Sequence, residues 1–79
     1  MRSQTLRKQV GKRIKIARKD AGFTQATFAK KIHSLRPNVA NYEVGRVHVP
    51  SDVLVKIART LKVSSDHLLG LNKSGGGTA

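Results

Sequence analysis

Cysteine is absent from the sequence, and only four of its 79 residues are Asp or Glu. Without cysteine the chain can form neither disulfides nor thiolate metal sites, so a cytoplasmic setting is the simpler expectation. No apolar run approaches the roughly 20 residues that cross a bilayer, and no apolar segment follows the charged N-terminus as it would in a signal peptide. Membrane insertion and secretion are therefore not expected.

Positive charge dominates the residues that are present. Sixteen Lys and Arg give a net charge of +12, whereas a small domain ordinarily carries a net charge of about 2–8 in magnitude. The excess favours a polyanionic partner (DNA, RNA or an anionic membrane) over simple solubility. RNA recognition uses aromatic stacking and a membrane-surface helix needs large exposed apolar residues. The aromatic residues Phe23, Phe28 and Tyr42 are all expected to face inward. Sequence-independent binding to RNA or a membrane through charge alone is therefore a weaker hypothesis than binding to double-stranded DNA.

The length predicts one domain with one modest core, since a chain of this size buries only about 60% of its unfolded surface. His33, His48 and His67 lie far apart without the spacing of metal ligands. No Ser or Thr has a plausible base and orienting group beside it. We therefore expect neither an enzyme nor a metal or cofactor site.

Five helices and no strand are predicted from the apolar spacing and from the residues that start and stop helices. Gly22 is expected to end the first helix in the left-handed conformation, and Gly45 to end the third. Thr24 and Ser64 can cap the helices that follow them. The predicted helices span residues 3–21, 25–32, 35–44, 52–62 and 65–71.

The C-terminal residues 72–79, NKSGGGTA, are glycine-rich and lack large apolar side chains, so they are expected to be disordered beyond a folded domain at 1–71. A natural tail, the start of a linker to a further domain and a cloning remnant are all compatible with this composition. Near the end of the predicted domain, we expect the core to contain Leu68, Leu69 and Leu71. The alternative is that these leucines contribute to a dimer contact.

Helical spacing also predicts which other residues face the core. In the first helix these are Leu6, Val10, Ile14, Ala17 and Ala21. In the second and third they are Phe28, Ala29, Ile32, Leu35, Val39 and Tyr42, and in the fourth Val53, Leu54, Ile57, Ala58 and Leu61. The lysine stripe of the first helix, on the side away from its core face, is expected to be solvated: Lys8, Lys12, Lys15 and Lys19.

The other side of the third predicted helix has the chemistry of a base-reading surface. The amide of Asn41 offers the donor and acceptor that match N6 and N7 of adenine. Pro37, Ala40 and Val44 are small or apolar and can contact a thymine methyl. Arg36, at the edge of this side, can bind guanine or a phosphate.

A short helix, a tight turn and a second helix make up the helix-turn-helix unit, and the second and third predicted helices have these proportions. Ala29 is small where the two helices should cross. Gln25 stands at the N-terminus of the first of them, where free N–H groups and the helix dipole favour a phosphate.

The sequence resembles the lambda-repressor-like, Cro/XRE-type helix-turn-helix family over about residues 10–70. The matching stretches are VGKRIKIARKDAGFTQATFAKKI, VANYEVGR and VLVKIARTLKVSSDHLL. The order and spacing of G-F-T-Q-x-x-F-A, Y-E-x-G-R and A-x-x-L-x-V-S make the resemblance specific. It implies a compact five-helix, all-α domain whose third helix enters the major groove of double-stranded DNA.

The resemblance also implies residue roles. Gln25 matches a position that contacts phosphate and steadies the first side chain of the reading helix. Arg18 and Glu43 match an internal ion pair that links the first and third helices. The positions that match base contacts are Arg36, Pro37 and Asn41; those that match phosphate or backbone contacts are Asn38, Arg46 and the loop through His48.

Four positions depart from the family pattern, one of them Ser34, which replaces an apolar residue. His33 stands where glycine is usual in the turn, and it must adopt a left-handed conformation there. Leu35 stands where a capping Ser or Thr is usual, which suggests that Ser34 caps the third helix instead. Lys62 also replaces a common glycine, with a minor local effect expected.

The function implied is that of a bacterial or phage transcriptional regulator, most simply a repressor, acting as a homodimer at least on DNA and associated with the bacterial nucleoid. The alternative is an antitoxin, which has the same fold, holds a toxin and represses its own gene. A toxin or a missing C-terminal domain is thus a further candidate partner.

Overall fold

The computed structural model describes residues 2–70, with side chains from residue 6 onward. It contains helices α1 (Arg2–Asp20), α2 (Gln25–Lys31), α3 (Arg36–Val44), α4 (Ser51–Leu61) and α5 (Ser65–Leu69). No strand is present among these residues. The five-helix, all-α prediction is confirmed, and each bound lies within two residues of the predicted one. The predicted tail at 72–79 and Leu71 lie outside the described residues.

One apolar core joins the helices. Ile14, Phe28, Ile57 and Leu68 are fully buried and come from α1, α2, α4 and α5, while Val39 of α3 is 1% exposed. Burying one such side chain stabilises the fold by roughly 1.5–3 kcal/mol. Leu68 therefore belongs to the core, as the sequence predicts.

Three predicted core positions are wrong. Leu6 is 46% exposed and Leu35 is 68% exposed, and Ala21 is exposed as well. Leu35 lies outside the helix that the periodicity assumed, because its backbone is extended, with φ −107° and ψ 149°. Ala21 lies beyond the end of α1, and Leu6 lies in its first turns.

The turns follow the predicted chemistry. Gly22 has a φ of +84°, and the Phe23 side chain packs against the core at 5.7 Å from the Phe28 ring. The Thr24 hydroxyl accepts from the N–H of Thr27 at 3.1 Å, and Ser64 caps α5 in the same way. His33 adopts the left-handed conformation expected of it, with φ +56°.

The close packing of α1 against α3 depends on Gly11. A Cβ at residue 11 would overlap the carbonyl oxygen of Tyr42 and lie 2.5 Å from that of Glu43. Because residue 11 has no side chain, the backbone of α1 can approach the last turn of α3 directly. This contact helps to fix the position of α3 relative to α1.

None of the helices described between residues 2 and 70 is long and apolar enough to cross a bilayer.

Candidate nucleic-acid interface

The side of α3 that faces away from the core is accessible. Pro37 and Arg36 are exposed, Asn41 and Ala40 are half-buried, and Val44 is 58% exposed. Of the predicted phosphate contacts, Gln25 is half-buried, and the exposed ones are Asn38, Arg46 and His48. The structure thus brings the five predicted base-contacting residues together on one outward surface.

This surface has no exposed negative charge on α3. Glu43 is the one acidic residue of the helix, and it is 6% exposed and paired. Arg36 lies at the start of α3 and Arg46 just beyond its end. The exposed part of α3 therefore presents cationic, amide and apolar groups, the chemistry that phosphates, base edges and thymine methyls require.

The N-terminus of α3 differs from the expectation. Leu35, not Ser34, is the N-cap, and no side chain caps the helix. The Ser34 hydroxyl accepts instead from Nδ2 of Asn38 at 3.1 Å. The first turn tolerates Pro37 because an N–H at that position would have no helical partner.

Glu43 joins three helices at the inner side of α3. The guanidinium of Arg18 donates from Nε to Oε2 at 2.6 Å and from NH2 to Oε1 at 3.2 Å. Nε2 of Gln25 also donates to Oε1 at 3.0 Å. The ion pair that the family resemblance implies is thus present. Gln25 uses one amide proton on Glu43 and retains a second one for another acceptor.

The loop after α3 is held by α1. Arg7 donates from Nε to the Gly45 carbonyl oxygen at 3.3 Å, and its NH1 lies 3.1 Å from Nε2 of His48. At the C-terminal end of α3, NH1 of Arg46 donates to Oδ1 of Asn41 at 3.2 Å. His48 and Arg46 are therefore both placed by contacts with other side chains.

Two residues that position the site were missed by sequence reasoning. Gly11 allows the approach of α1 to α3, and its signal was a glycine inside a helix, where glycine costs about 1 kcal/mol relative to alanine. Arg7 lies 38 residues from its partner Gly45, and no local pattern identifies such a contact.

Within the described residues, no group of three or more His, Cys, Asp or Glu is placed to hold a metal ion.

Comparison with known proteins gives two similarities. A family model described as Helix-turn-helix matches residues 14–68. The HTH-type transcriptional regulator ImmR of Bacillus subtilis (strain 168) is 41% identical over 61 residues, which are 77% of this chain and 48% of that protein. The chain thus spans about half the length of this curated relative. No solved structure matches the chain.

Proposed function

Since the chain belongs to the Cro/C1-type helix-turn-helix family, we propose that it is a sequence-specific, double-stranded DNA-binding transcriptional regulator. It acts as a repressor, in the cytoplasm and at the nucleoid, by placing α3 in the major groove of its site. The main support is the outward side of α3, where an amide, an arginine and several apolar groups lie together without a negative charge.

The proposed contacts divide into two classes. Those that read base edges are Arg36, Pro37, Ala40, Asn41 and Val44, and those that bind phosphate are Gln25, Asn38, Arg46 and His48. Phosphate contacts set the register of the protein on the duplex, while base contacts discriminate between sequences. The second amide proton of Gln25 is available for a phosphate, so its bond to Glu43 is compatible with this role.

The proposed assembly on DNA is a homodimer. Single small modules bury about 600–1,000 Å² on DNA, whereas specific complexes usually bury about 1,000–2,500 Å² and have affinities of about 10⁻⁸–10⁻¹¹ M. Two copies on half-sites about one helical turn apart, ~34–36 Å, would double the contacts. The similarity to a transcriptional regulator supports regulation over the antitoxin role, for which a toxin that copurifies with the chain would be needed.

Selection of binding sites from a pool of random duplexes tests the proposal. We expect enrichment of a palindrome whose half-sites are centred about 10–10.5 base pairs apart. Binding to the enriched site should weaken steeply with added salt, because released counterions drive the association of so basic a chain. A pool that shows no enrichment, with equal binding to all duplexes, would contradict sequence-specific regulation.

A further inference from the structure

The chain leaves α3 through a turn that brings residues 41 and 46 together. Gly45 has a φ of +79°. Its N–H donates to the Tyr42 carbonyl oxygen at 3.2 Å, and the N–H of Arg46 donates to the Asn41 carbonyl oxygen at 3.0 Å. This is the Schellman arrangement, in which the residue two beyond the helix end lies against the last full turn.

The same two residues also bond through their side chains. NH1 of Arg46 donates to Oδ1 of Asn41 at 3.2 Å, beside the backbone bond between them. A hydrophobic contact frequently occupies this place in Schellman motifs. Here it joins a guanidinium to the amide that is proposed to read a base.

Helix α1 fixes the backbone from which Arg46 projects. A Cβ on residue 45 would lie 2.8 Å from the backbone of Lys8, so the turn is packed directly on α1. Arg7 also donates to the Gly45 carbonyl oxygen at 3.3 Å. The starting point of the Arg46 side chain is therefore set by the fold, not by a freely moving loop.

Reading adenine requires the Asn41 amide to present oxygen and nitrogen in a defined order, because N6 is a donor and N7 an acceptor. A carbonyl oxygen has two lone pairs. Oδ1 can thus accept from Arg46 and still accept from adenine N6, while Nδ2 donates to N7. The flipped amide would place Nδ2 against the guanidinium, donor against donor.

We propose that Arg46 is a positioning residue that selects the reading orientation of the Asn41 amide, and so contributes to base specificity in addition to any phosphate contact. This proposal rests on the proposed function. It differs from a pure phosphate role, in which Arg46 would add the same affinity to every sequence.

The test compares Arg46→Met with Lys56→Met, which removes one positive charge from an exposed position of α4. Affinities are measured for the selected duplex and for duplexes altered at each base pair. We expect Arg46→Met to reduce discrimination about three- to tenfold at the base pair that Asn41 reads, a magnitude usual for coupled neighbours. Lys56→Met should leave discrimination unchanged, and Arg46→Met should add no loss of discrimination in an Asn41→Ala background.

Two results would overturn the positioning role while the proposed function stands. One is an equal loss of affinity on all duplexes in Arg46→Met; the other is an undiminished effect of Arg46→Met on discrimination when Asn41 is already alanine.

A measurement without DNA separates the two proposals. The side-chain amide NMR signals of Asn41 should shift in Arg46→Met and stay in place in Lys56→Met. Unshifted signals in Arg46→Met would end the positioning proposal, whether or not the protein discriminates between duplexes.

Discussion

Arg18 and Glu43 form a two-point ion pair between α1 and α3, with Nε and Oε2 2.6 Å apart and NH2 and Oε1 3.2 Å apart. Both residues are buried, at 5% and 6% exposure. NH1 of Arg18 additionally donates to the Phe23 carbonyl oxygen at 2.7 Å, which ties the turn between α1 and α2 into the same network. Since the charges are removed from water, each depends on the other for compensation.

Replacing Glu43 by alanine should strongly destabilise the domain. The change leaves the guanidinium of Arg18 buried without its counter-charge, and removing one partner of such a pair costs about 3–5 kcal/mol. The free energy of unfolding, measured by urea titration with circular dichroism, should fall by that amount.

The matched control is the double variant Arg18→Met/Glu43→Leu, which removes both charges and keeps much of the apolar volume. Replacing a buried ion pair by hydrophobic residues of similar size is often neutral or stabilising, so this variant should recover most of the loss. A Glu43→Ala protein as stable as the parent would show that Arg18 finds water or another acceptor.

The interface between α1 and α3 gives a second prediction, for Gly11→Ala. Inside a helix, alanine is ordinarily more stable than glycine by roughly 0.5–1 kcal/mol. Here the new Cβ would meet two backbone carbonyl groups of α3, which cannot rotate away. We expect a net destabilisation of about 1–3 kcal/mol, the usual cost of overpacking, measured by thermal or urea unfolding.

The control for Gly11→Ala is Gln9→Ala, at an exposed position of the same helix. It introduces alanine without a new contact and should change the free energy of unfolding by less than about 0.5 kcal/mol. If Gly11→Ala instead raised stability, α1 and α3 would have to be able to move apart without loss of packing.

The helices could be predicted from sequence because their ends carry local signals. Gly22 and Gly45 adopt the left-handed conformation, and the Thr24 and Ser64 hydroxyls cap the helices that follow. The outward side of α3 was likewise predictable, since periodicity places Val39 on the inner side and assigns the rest, whereas the burial of Glu43 was implied by the family resemblance.

Contacts between distant segments could not be predicted in this way. The closeness of Gly11 to α3 and the bond from Arg7 to Gly45 depend on how the helices pack. Leu35 was assigned to the core because a helical wheel treats every residue as helical, whereas the N-cap residue has an extended backbone. The bond between Arg46 and Asn41 arises from a turn beyond the helix, where no periodicity applies.

Base reading by Asn41 gives a third prediction. Asn41→Ala should cost about 1–3 kcal/mol of binding free energy on the selected duplex and relax the preference at one base pair. The comparison is Asn38→Ala, which removes an exposed amide from the same helix. As a phosphate contact, Asn38 should affect all duplexes alike. Equal losses on random and selected duplexes for Asn41→Ala would contradict its role in base reading.

Lys62 gives a fourth prediction because it ends α4 with a φ of +59°. The Val63 N–H donates to the Ala58 carbonyl oxygen at 3.0 Å, so the turn has the arrangement that glycine usually completes. A side chain in this conformation costs roughly 1–2 kcal/mol. Lys62→Gly should therefore raise the free energy of unfolding by about 1 kcal/mol, allowing for the greater freedom of glycine in the unfolded chain.

Lys62→Ala separates the backbone effect from the loss of charge. Alanine keeps the Cβ and removes the ammonium group, so it should give no comparable gain. Equal stabilisation by glycine and alanine would assign the effect to charge repulsion in this basic chain.

Leu35 gives the last prediction, which concerns the uncapped start of α3. Its extended backbone, with φ −107° and ψ 149°, already has the conformation that a capping residue adopts. Pro37 has no N–H, so a serine hydroxyl at residue 35 would accept from the N–H of Asn38, which otherwise bonds only to the Leu35 carbonyl oxygen, at 2.9 Å. Leu35→Ser should thus raise the free energy of unfolding by about 1 kcal/mol, measured by urea titration.

Leu35→Ala distinguishes this gain from the removal of a leucine that is 68% exposed. Alanine deletes the same apolar surface without supplying an acceptor, so its stability should stay within about 0.5 kcal/mol of the parent. A gain for alanine equal to that for serine would mean that exposure of the leucine, not the missing cap, limits stability here. The substitution lies next to Arg36, so the affinity of Leu35→Ser for DNA shows whether residue 35 contributes to binding. If the affinity falls while the free energy of unfolding rises, the loss of binding cannot be attributed to unfolding.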